Sequence, residues 1–532
     1  MSWSFSKPPM PPWLSMTPPL KTHPLGAIDF LAFVSGMYIV VLALLAPPTP
    51  AWRLFRASAA APFASLFFCY VAVYAKAKCY EDQWGTILFA TWWTVHAFEL
   101  LVFFPAEEYC YRVTPRPRTP ATSPGPEDRG SNCPTLITKD GAGWSIEPVP
   151  QPWTWAKFWW AHSLWWSMRG IGWNFAPALP PSFRKPPYSP GSSRRQFVYA
   201  RLRRYALNWI LTDLLRSFAN LSSASAFYSG KPGAPTYADL TQLQRGIYST
   251  CMVLRIAFGM DRTHIPFGVV MVTLGGIMGW ETELCSPWGW PPLFAPLSDT
   301  WKHPGLSRMW SRNWHQYFRP WLWKFGWIFL GEKVLRLPRS GFDIKGPPPF
   351  LVAGTAVDRA SLSVPQSDPD TSGRVSPAHP LPTTPSRQPG SVRLSNLIKS
   401  VCVFALTGWI HDYPLYFLMH HTMPRGSWSW TDAIQTTPFF VSQPFGIALE
   451  SAVKSAWRGW KVKNRPEWRE KEPDSVVFCE RLIGFVWTWT WLGWTAGWFV
   501  NGLVRLGYYR RGDGQQVFPS LLGGLIWGVW WH

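Results

Sequence analysis

The chain has 532 residues, of which 47% are hydrophobic, only 15% are charged and 38 are tryptophan. Soluble domains carry roughly a quarter charged residues, so this composition argues against an ordinary soluble protein and favours a membrane protein. The formal net charge of +21 is compatible with a nucleic-acid partner, but the basic residues collect between apolar segments, as they do in cytosolic loops. We therefore expect no nucleic-acid partner.

The first half of the chain contains three segments of the length that a membrane helix requires. Such a helix needs about 20 predominantly apolar residues, and the segments 28–46, 59–77 and 86–104 qualify. The N-terminus lacks the short apolar core of a cleaved signal peptide, so the first segment is predicted to remain as a membrane anchor. A Pro-rich polar stretch at 105–152 follows and is predicted to be a loop or flexible insert.

The remainder of the chain alternates basic, aromatic and apolar segments. Residues 153–173 are rich in tryptophan and predict an interfacial or re-entrant helix. Residues 181–204 contain no acidic residue and predict a cytosolic loop. A second Pro/Ser-rich insert is predicted at 339–393. Further membrane or amphipathic segments are predicted at 205–221, 240–258, 265–280, 306–330, 394–421, 433–456, 482–503 and 520–531.

Together these segments predict an all-α, polytopic integral membrane protein with about eight spans. The whole chain, 1–532, is expected to form a single multi-span domain interrupted by the two inserts. The lipid bilayer is therefore an expected partner.

The strongest candidate for a catalytic residue is His411, which lies in the apolar segment VCVFALTGWIHDYPLYFL. Ionisable residues inside a membrane are costly and indicate a functional site. Thr407 and Gly408 share the helical face of His411 and, being small, are expected to leave open space beside the imidazole. Pro414 removes a backbone donor and could kink the helix there. An imidazole titrates near neutral pH, which suits a general base. The alternative is a histidine that packs between helices.

A second candidate is the segment MWSRNWHQYFRPW at 309–321. On a continuous helix its aromatic residues would form one face and its polar residues the opposite face. A polar face of this kind could bind an anionic cofactor or could meet lipid phosphates at the membrane surface, and the segment alone favours the lipid interpretation. The polar face would comprise Arg312, His315, Gln316 and Arg319.

Two other polar groups are weaker candidates. In SMRGIGWNF, two glycines between Arg169 and Asn174 permit a tight backbone turn, which is either functional or a simple turn at the membrane surface. His96 and Glu99 are three residues apart in the third predicted span. They predict either a hydrogen-bonded structural pair or part of a polar cavity, and we rank them below His411.

The signatures of several enzyme classes are missing from the sequence. The eight cysteines are scattered without a CxxC pair, so no metal or redox site is indicated. The sequence contains no GxSxG, Walker A or HExxH motif. It also has no HxxxD pair, which argues against the soluble His/Asp type of acyltransferase.

Three motifs, taken in order, resemble the membrane-bound O-acyltransferase family, and within it the wax-synthase-like branch of fungal natural-product pathways. They are RGIGWN at 169–174, WHQYFR at 314–319 and FALTGWIH at 404–411. Thr407 stands where Ser is commoner in the family, and the second motif lacks the Asp-Trp-Trp-Asn element of the sterol and diacylglycerol acyltransferases. The resemblance implies a multi-pass acyl-CoA-dependent O-acyltransferase of the endoplasmic reticulum membrane.

The resemblance also implies a role for each motif. His411 would accept the proton of a substrate hydroxyl as its oxygen attacks the thioester carbonyl of acyl-CoA. His315 or Asn313 would orient the acyl donor or stabilise the developing oxyanion. No bound cofactor is expected, because acyl-CoA is a co-substrate. The residues expected to hold the CoA are Arg312, Gln316, Arg319 and Arg169.

The branch includes enzymes that make long-chain wax esters and enzymes that acetylate terpenoid or meroterpenoid hydroxyls. By analogy, RGIGWN and the fungal-type inserts favour acetyl-CoA and an apolar terpenoid-type alcohol that enters from the bilayer. A long-chain wax-ester synthase is the alternative within the family. From another class, a membrane transporter is the alternative, in which His411, His96 and Glu99 would line a proton-linked pathway.

Overall fold

The computed structural model of the chain describes most of its helical segments. Its described residues are 23–76, 80–115, 135–137, 143–177, 179–221, 224–229, 234–339, 390–422, 430–469, 472–506, 522, 524 and 525. Most of the insert predicted at 339–393, and most of the segment predicted at 520–531, lie outside these residues.

The described part of the chain is mostly helical. The long helices of the first half are α1 (Ala27–Ala43), α2 (Pro50–Phe55, continuing through Arg56–Ala60 and Ala61–Tyr74), α3 (Tyr80–Phe98, continuing through Glu99–Phe103), α4 (Trp155–Trp166) and α5 (Arg194–Leu221). Those of the second half are α6 (Gln242–Met278), α7 (Arg319–Leu322, continuing through Trp323–Val334), α8 (Gly390–Thr422), α9 (Thr436–Asn464) and α10 (Asp474–Leu506).

Short elements connect the long helices. Short helical turns lie at Ala106–Tyr109, Pro181–Arg184, Ala224–Ser229, Tyr237–Asp239, Glu283–Cys285, Pro287–Gly289, Leu297–Lys302, Leu306–Arg308, Met309–Asn313, Trp430–Ala433 and Pro466–Arg469. The strands are β1 (His23–Pro24), β2 (Ala75–Lys76), β3 (Arg112–Pro115), β4 (Thr135–Ile137) and β5 (Gly143–Glu147). β1 and β2 pair in parallel, whereas β5 lies between β3 and β4 in a three-stranded antiparallel sheet. The insert predicted at 105–152 therefore contains a small sheet.

Among the described residues, three helical segments are long and apolar enough to cross a membrane: Pro50–Tyr74, Gln83–Phe103 and Arg393–His421. Ala27–Ala43 is a shorter apolar helix. These four segments overlap the spans predicted at 28–46, 59–77, 86–104 and 394–421. The prediction of a mostly helical protein is thus confirmed, and three of the predicted spans correspond to candidate membrane helices. The count of about eight spans stays a prediction.

Helix α8 lies at the centre of the packing that positions His411. It packs against α9, against the α7 continuation and against α3 and α10. The contact with α9 is close at Gly408, because a Cβ atom built there would lie 2.5 Å from the Cα atom of Thr437. The buried apolar core runs through these same helices and includes Trp92, Ile410, Phe440 and Val500.

Two boundaries differ from the sequence predictions. The amphipathic segment at 240–258 and the span at 265–280 form the single helix α6, which begins with a capping box between Thr241 and Gln244 and continues through Pro266. The predicted cytosolic loop at 181–204 is partly helical, since α5 begins at Arg194. Five of its seven basic residues are therefore held on α5: Arg194, Arg195, Arg201, Arg203 and Arg204.

The continuous helix predicted through 309–321 is wrong. A π-helical turn ends at Asn313, the backbone is extended at Trp314, with φ −87° and ψ 156°, and the helix resumes at Arg319. The side-chain Nε2 of Gln316 donates to the carbonyl oxygens of Trp310 at 3.0 Å and Trp314 at 2.7 Å. These bonds stabilise the break by satisfying carbonyls that a continuous helix would pair with backbone N–H groups.

Candidate active site

His411 lies in the middle of α8 and is 6% exposed. Its Nδ1 is 2.7 Å from the carbonyl oxygen of Thr407, one helical turn earlier. A carbonyl oxygen only accepts hydrogen bonds, so Nδ1 carries the proton and donates it. In the neutral imidazole the lone pair then belongs to Nε2, which is the atom able to act as a base.

Aromatic rings surround the imidazole of His411. The ring centroids of Trp84, Phe318, Phe440 and Phe499 lie 5.9, 5.7, 4.8 and 6.1 Å from its centroid. These rings come from α3, from the residue just before α7, from α9 and from α10, so four parts of the chain converge on one histidine. An apolar wall of this kind excludes water and suits an apolar substrate.

Gly408 does not provide the open space that was predicted beside the imidazole. The Cα and side-chain atoms of Thr437 occupy that position, as close as 2.5 Å to an ideal Cβ on Gly408. The role of Gly408 is instead close helix packing. Helix α8 also continues through Pro414 to Thr422.

Asp412 fixes the position of α9 relative to His411. Its Oδ1 accepts hydrogen bonds from the backbone N of Thr436 at 2.7 Å and from the hydroxyl of Thr436 at 2.6 Å, and its Oδ2 accepts one from the backbone N of Thr437 at 3.0 Å. Backbone N–H groups in the first turn of a helix have no partner within that helix, so a carboxylate satisfies them well. Asp412 therefore acts as a cap for α9, the helix that carries Phe440.

Replacement of Asp412 by alanine is expected to destabilise the protein by about 0.5–2 kcal/mol, the usual cost of losing a helix cap. Asparagine at the same position should retain most of the stability, because Asn caps helices as well as Asp does. Thermal unfolding of the purified protein in detergent measures both effects. Equal destabilisation by Asp412→Asn and Asp412→Ala would contradict the capping role and would indicate that the negative charge itself is required.

His315 lies across one phenylalanine from His411. The ring of Phe318 meets both imidazoles edge-on, at 5.6 Å from His315 and 5.7 Å from His411. Burial, together with the nearby His411 and Arg169, lowers the pKa of His315 to about 3, so this imidazole is neutral at physiological pH. Its Nδ1 is buried and has no hydrogen-bond partner among the described residues. A neutral imidazole with an unused ring nitrogen can interact with a polar group of a substrate.

Asn313 ends the π-helical turn before His315 and is buried. Its Nδ2 donates to the hydroxyl of Thr300 over 3.5 Å. Its Oδ1 is buried without a partner in the described part of the chain. The side chain thus retains hydrogen-bonding capacity, as does His315.

Arg319 and Arg312 are neighbouring cations in this region. Arg319 Nη1 donates to the carbonyl oxygen of Ser311 at 2.8 Å and to Oε1 of Gln316 at 3.3 Å. Burial, and then the charge of Arg312, lower the pKa of Arg319 to about 10, so it stays protonated at neutral pH. Gln316 already bonds two backbone carbonyls and Arg319, which leaves it little capacity to bind a ligand.

Arg169 lies close enough to His315 to lower its pKa, but its side chain is bonded to a different segment. Its Nη1 donates to the carbonyl oxygen of Pro291 at 2.7 Å. The tight turn predicted after it is confirmed, since Gly170 and Gly172 have φ of +68° and +84°. Asn174 closes this turn onto the segment before β3, where its Nδ2 donates to the carbonyl oxygen of Tyr109 at 3.0 Å. The turn therefore has a clear structural role.

His96 and Glu99 form the hydrogen-bonded pair that was one of the two predicted alternatives, with Nδ1 and Oε2 2.9 Å apart. Lys324, on the α7 continuation, completes a buried ion pair, since its Nζ lies 2.6 Å from Oε1 of Glu99. The His96 ring stacks on Trp92 at 5.2 Å. The group joins α3 to the α7 continuation.

Sequence reasoning missed Asp412 and Phe318. Asp412 had a usable signal, because it is an ionisable residue directly beside His411 within an apolar segment. Phe318 had none, because its place between two histidines depends on the break in the 309–321 segment.

Comparisons with known proteins give two distant relatives. Acetyltransferase nanB of Aspergillus nanangensis is 22% identical over 322 residues, which cover 59% of this chain and 58% of nanB. Acetyltransferase ple2 of Rhodocybe pseudopiperita is 26% identical over 178 residues, which cover 34% of this chain and 41% of ple2. The matches thus span about half the length of these curated relatives. No family model and no solved structure matches the chain. The chain is distantly similar to fungal acetyltransferases, which suggests an acyltransferase.

Proposed function

We propose that the protein is an acyl-CoA-dependent O-acyltransferase that transfers acetyl from acetyl-CoA to a hydroxyl of a terpenoid or meroterpenoid alcohol. The observation that carries the proposal is the hydrogen bond from His411 Nδ1 to the Thr407 carbonyl, which leaves Nε2 as the basic atom within an apolar wall. The distant similarity to nanB and ple2 supports the same reaction type. We further propose that the protein belongs to the wax-synthase-like branch, crosses the membrane about eight times and resides in the endoplasmic reticulum membrane.

In the proposed reaction His411 is the general base. Its Nε2 takes the hydroxyl proton while the alcohol oxygen forms a bond to the thioester carbon of acetyl-CoA. The tetrahedral oxyanion then collapses, the carbon–sulfur bond breaks, and the CoA thiolate takes the proton from the imidazolium. The products are the acetate ester and the CoA thiol, and the histidine returns to its neutral form. No acyl-enzyme is required, because a thioester is already activated.

Other groups in the site would support this step. His315, neutral and with an unused ring nitrogen, would bind the thioester carbonyl and stabilise its developing oxyanion if Nδ1 carries the proton. Asn313 is the second candidate for this contact. Arg312 and Arg319 would hold phosphate groups of CoA, since guanidinium groups bind phosphate oxygens in a bidentate manner. The apolar alcohol would reach His411 from the bilayer.

The test is a substrate survey with the full chain in microsomes. Radiolabelled acetyl-CoA is supplied with a panel of terpenoid alcohols, and ester formation and release of the CoA thiol are measured. We expect acetyl transfer that requires an alcohol acceptor. Transfer only from long-chain acyl-CoA would favour the wax-ester synthase, whereas solute flux across proteoliposomes without consumption of any acyl-CoA would contradict the enzyme proposal.

A further inference from the structure

A buried arginine on α5 has no part in the mechanism proposed above. The side chain of Arg201 is 0% exposed. Its Nη2 donates to the carbonyl oxygen of Trp290 at 2.6 Å, but its Nε and Nη1 are buried with no hydrogen-bond partner among the described residues. The rings of Tyr188 and Phe197 lie 5.5 and 5.4 Å from its guanidinium carbon. Burial of unused charged donors is costly, which indicates that a partner is missing.

Two further arginines surround Arg201, and we call Arg169, Arg201 and Arg204 the arginine cluster. Arg169 has a buried Nε without a partner in the described part of the chain. Arg204 Nη2 donates to the carbonyl oxygen of Phe294 at 3.1 Å, and its side chain is 26% exposed. The cluster therefore consists of two buried arginines and one partly solvent-exposed arginine.

The positive charge of the cluster exceeds the negative charge beside it. Asp261 pairs with Arg204 Nε and accepts a second hydrogen bond, at 2.8 Å, from Nδ2 of Asn208. Burial lowers the pKa of Arg201, and it lowers that of Arg169 to about 10, so Arg169 remains protonated at neutral pH. Three guanidinium groups thus face one carboxylate in a region of low dielectric constant, where unpaired charge is unfavourable.

The segment 290–294 connects the cluster to the candidate active site. Its carbonyl oxygens at Trp290, Pro291 and Phe294 accept the hydrogen bonds of the three arginines. The ring of Phe294 also lies 6.0 Å from the ring of His315. One short segment therefore contacts both the cluster and the histidine next to His411.

We propose that the arginine cluster binds a phosphate or diphosphate group, with Arg201 at its centre. Guanidinium N–H groups donate strong hydrogen bonds to phosphate oxygens, and the unused Nε and Nη1 of Arg201 are two such donors on different edges of the group. Its assignment to CoA rests on the proposed function, in which the phosphate or diphosphate group is part of CoA. CoA carries a diphosphate and a separate 3′-phosphate, so this site and the Arg312–Arg319 pair could each bind one of them. The headgroup of an anionic lipid could supply the same phosphate group, and the experiment below distinguishes it from CoA.

The test measures binding rather than activity. Dissociation constants of CoA, pyrophosphate and pantetheine are measured by calorimetry on the purified full chain in detergent, for wild type, Arg201→Gln and Arg203→Gln. Arg203 is an exposed neighbour on the same helix, which makes it a matched control. We expect Arg201→Gln to weaken CoA and pyrophosphate binding about tenfold or more, the usual effect of losing hydrogen bonds to a charged group. Pantetheine, which lacks the phosphates, should bind all three proteins equally.

Equal CoA affinity in wild type and Arg201→Gln would overturn this inference and leave the proposed function standing. Failure of wild type to bind CoA would instead contradict the proposed function. Binding to phosphatidic acid nanodiscs that depends on Arg201, with CoA binding unaffected, would overturn the assignment to CoA. Thermal unfolding verifies that each variant is folded, and Arg169→Gln is measured in the same way if Arg201→Gln does not fold.

Discussion

Replacement of His411 by alanine is expected to lower the rate of acyl transfer by about 10²–10⁴-fold, the usual contribution of a general base. The expectation follows from the Nδ1 hydrogen bond to Thr407, which leaves Nε2 to receive the proton of the alcohol. The measurement is ester formation from labelled acetyl-CoA at saturating acceptor, in microsomes that contain equal amounts of each variant. The apparent affinity for acetyl-CoA should change much less than the rate, since His411 would contact the acceptor hydroxyl.

A matched control for this substitution lies on the same helix. His421 is an exposed histidine near the end of α8, and His421→Ala should retain the wild-type rate. Added imidazole provides a second test, because His411→Ala leaves a space between Phe318 and Phe440 that an imidazole molecule could fill. Partial recovery of the rate with imidazole would distinguish a lost base from a lost packing group. An undiminished rate in His411→Ala would show that the proposed mechanism is wrong.

The segments that sequence predicted best are those whose hydrophobicity is continuous. The spans at 59–77, 86–104 and 394–421 each correspond to a helix that could cross a membrane, because an uninterrupted apolar run has few alternatives in a bilayer. The placement of His411 within such a helix followed from the same pattern. The break at Trp314 did not follow, because it depends on the amide of Gln316 bonding two carbonyls. Side-chain bonds of this kind leave no periodic trace in the sequence.

In the candidate site too, the relation between residues of one helix was predictable, whereas contacts between distant segments were not. Gly408 and His411 share a helical face, as predicted, yet the space beside Gly408 is occupied by Thr437 from a helix that begins more than twenty residues later. The burial of Arg201 was likewise unpredictable, because a basic residue in a polar segment usually faces solvent. Its contact with the 290–294 segment, which is distant in sequence, helps to make it an interior residue.

Replacement of Lys324 by methionine is expected to destabilise the protein by about 3–5 kcal/mol, because it leaves the Glu99 carboxylate buried without its cation. The side chains of Lys324 and Glu99 are only 2% and 1% exposed, and their charged atoms are 2.6 Å apart. The double variant Glu99→Leu/Lys324→Met should be much closer to wild type, since an apolar pair of similar volume often replaces a buried ion pair at little cost. The measurement is the unfolding midpoint of each purified variant in detergent.

The exposed pair between Arg53 and Glu108, whose side chains are 45% and 37% exposed, provides the comparison. Arg53→Met should cost no more than about 1 kcal/mol, as is usual for surface ion pairs.

The double variant Glu99→Leu/Lys324→Met also distinguishes the enzyme hypothesis from the proton-linked transporter hypothesis, in which Glu99 would have to carry charge. If Glu99→Leu/Lys324→Met folds and retains acetyl transfer, the group of His96, Glu99 and Lys324 joins helices and takes no part in the reaction. If it folds but loses transfer while His411 is intact, the reaction requires this charged group and the proposed site must extend to it.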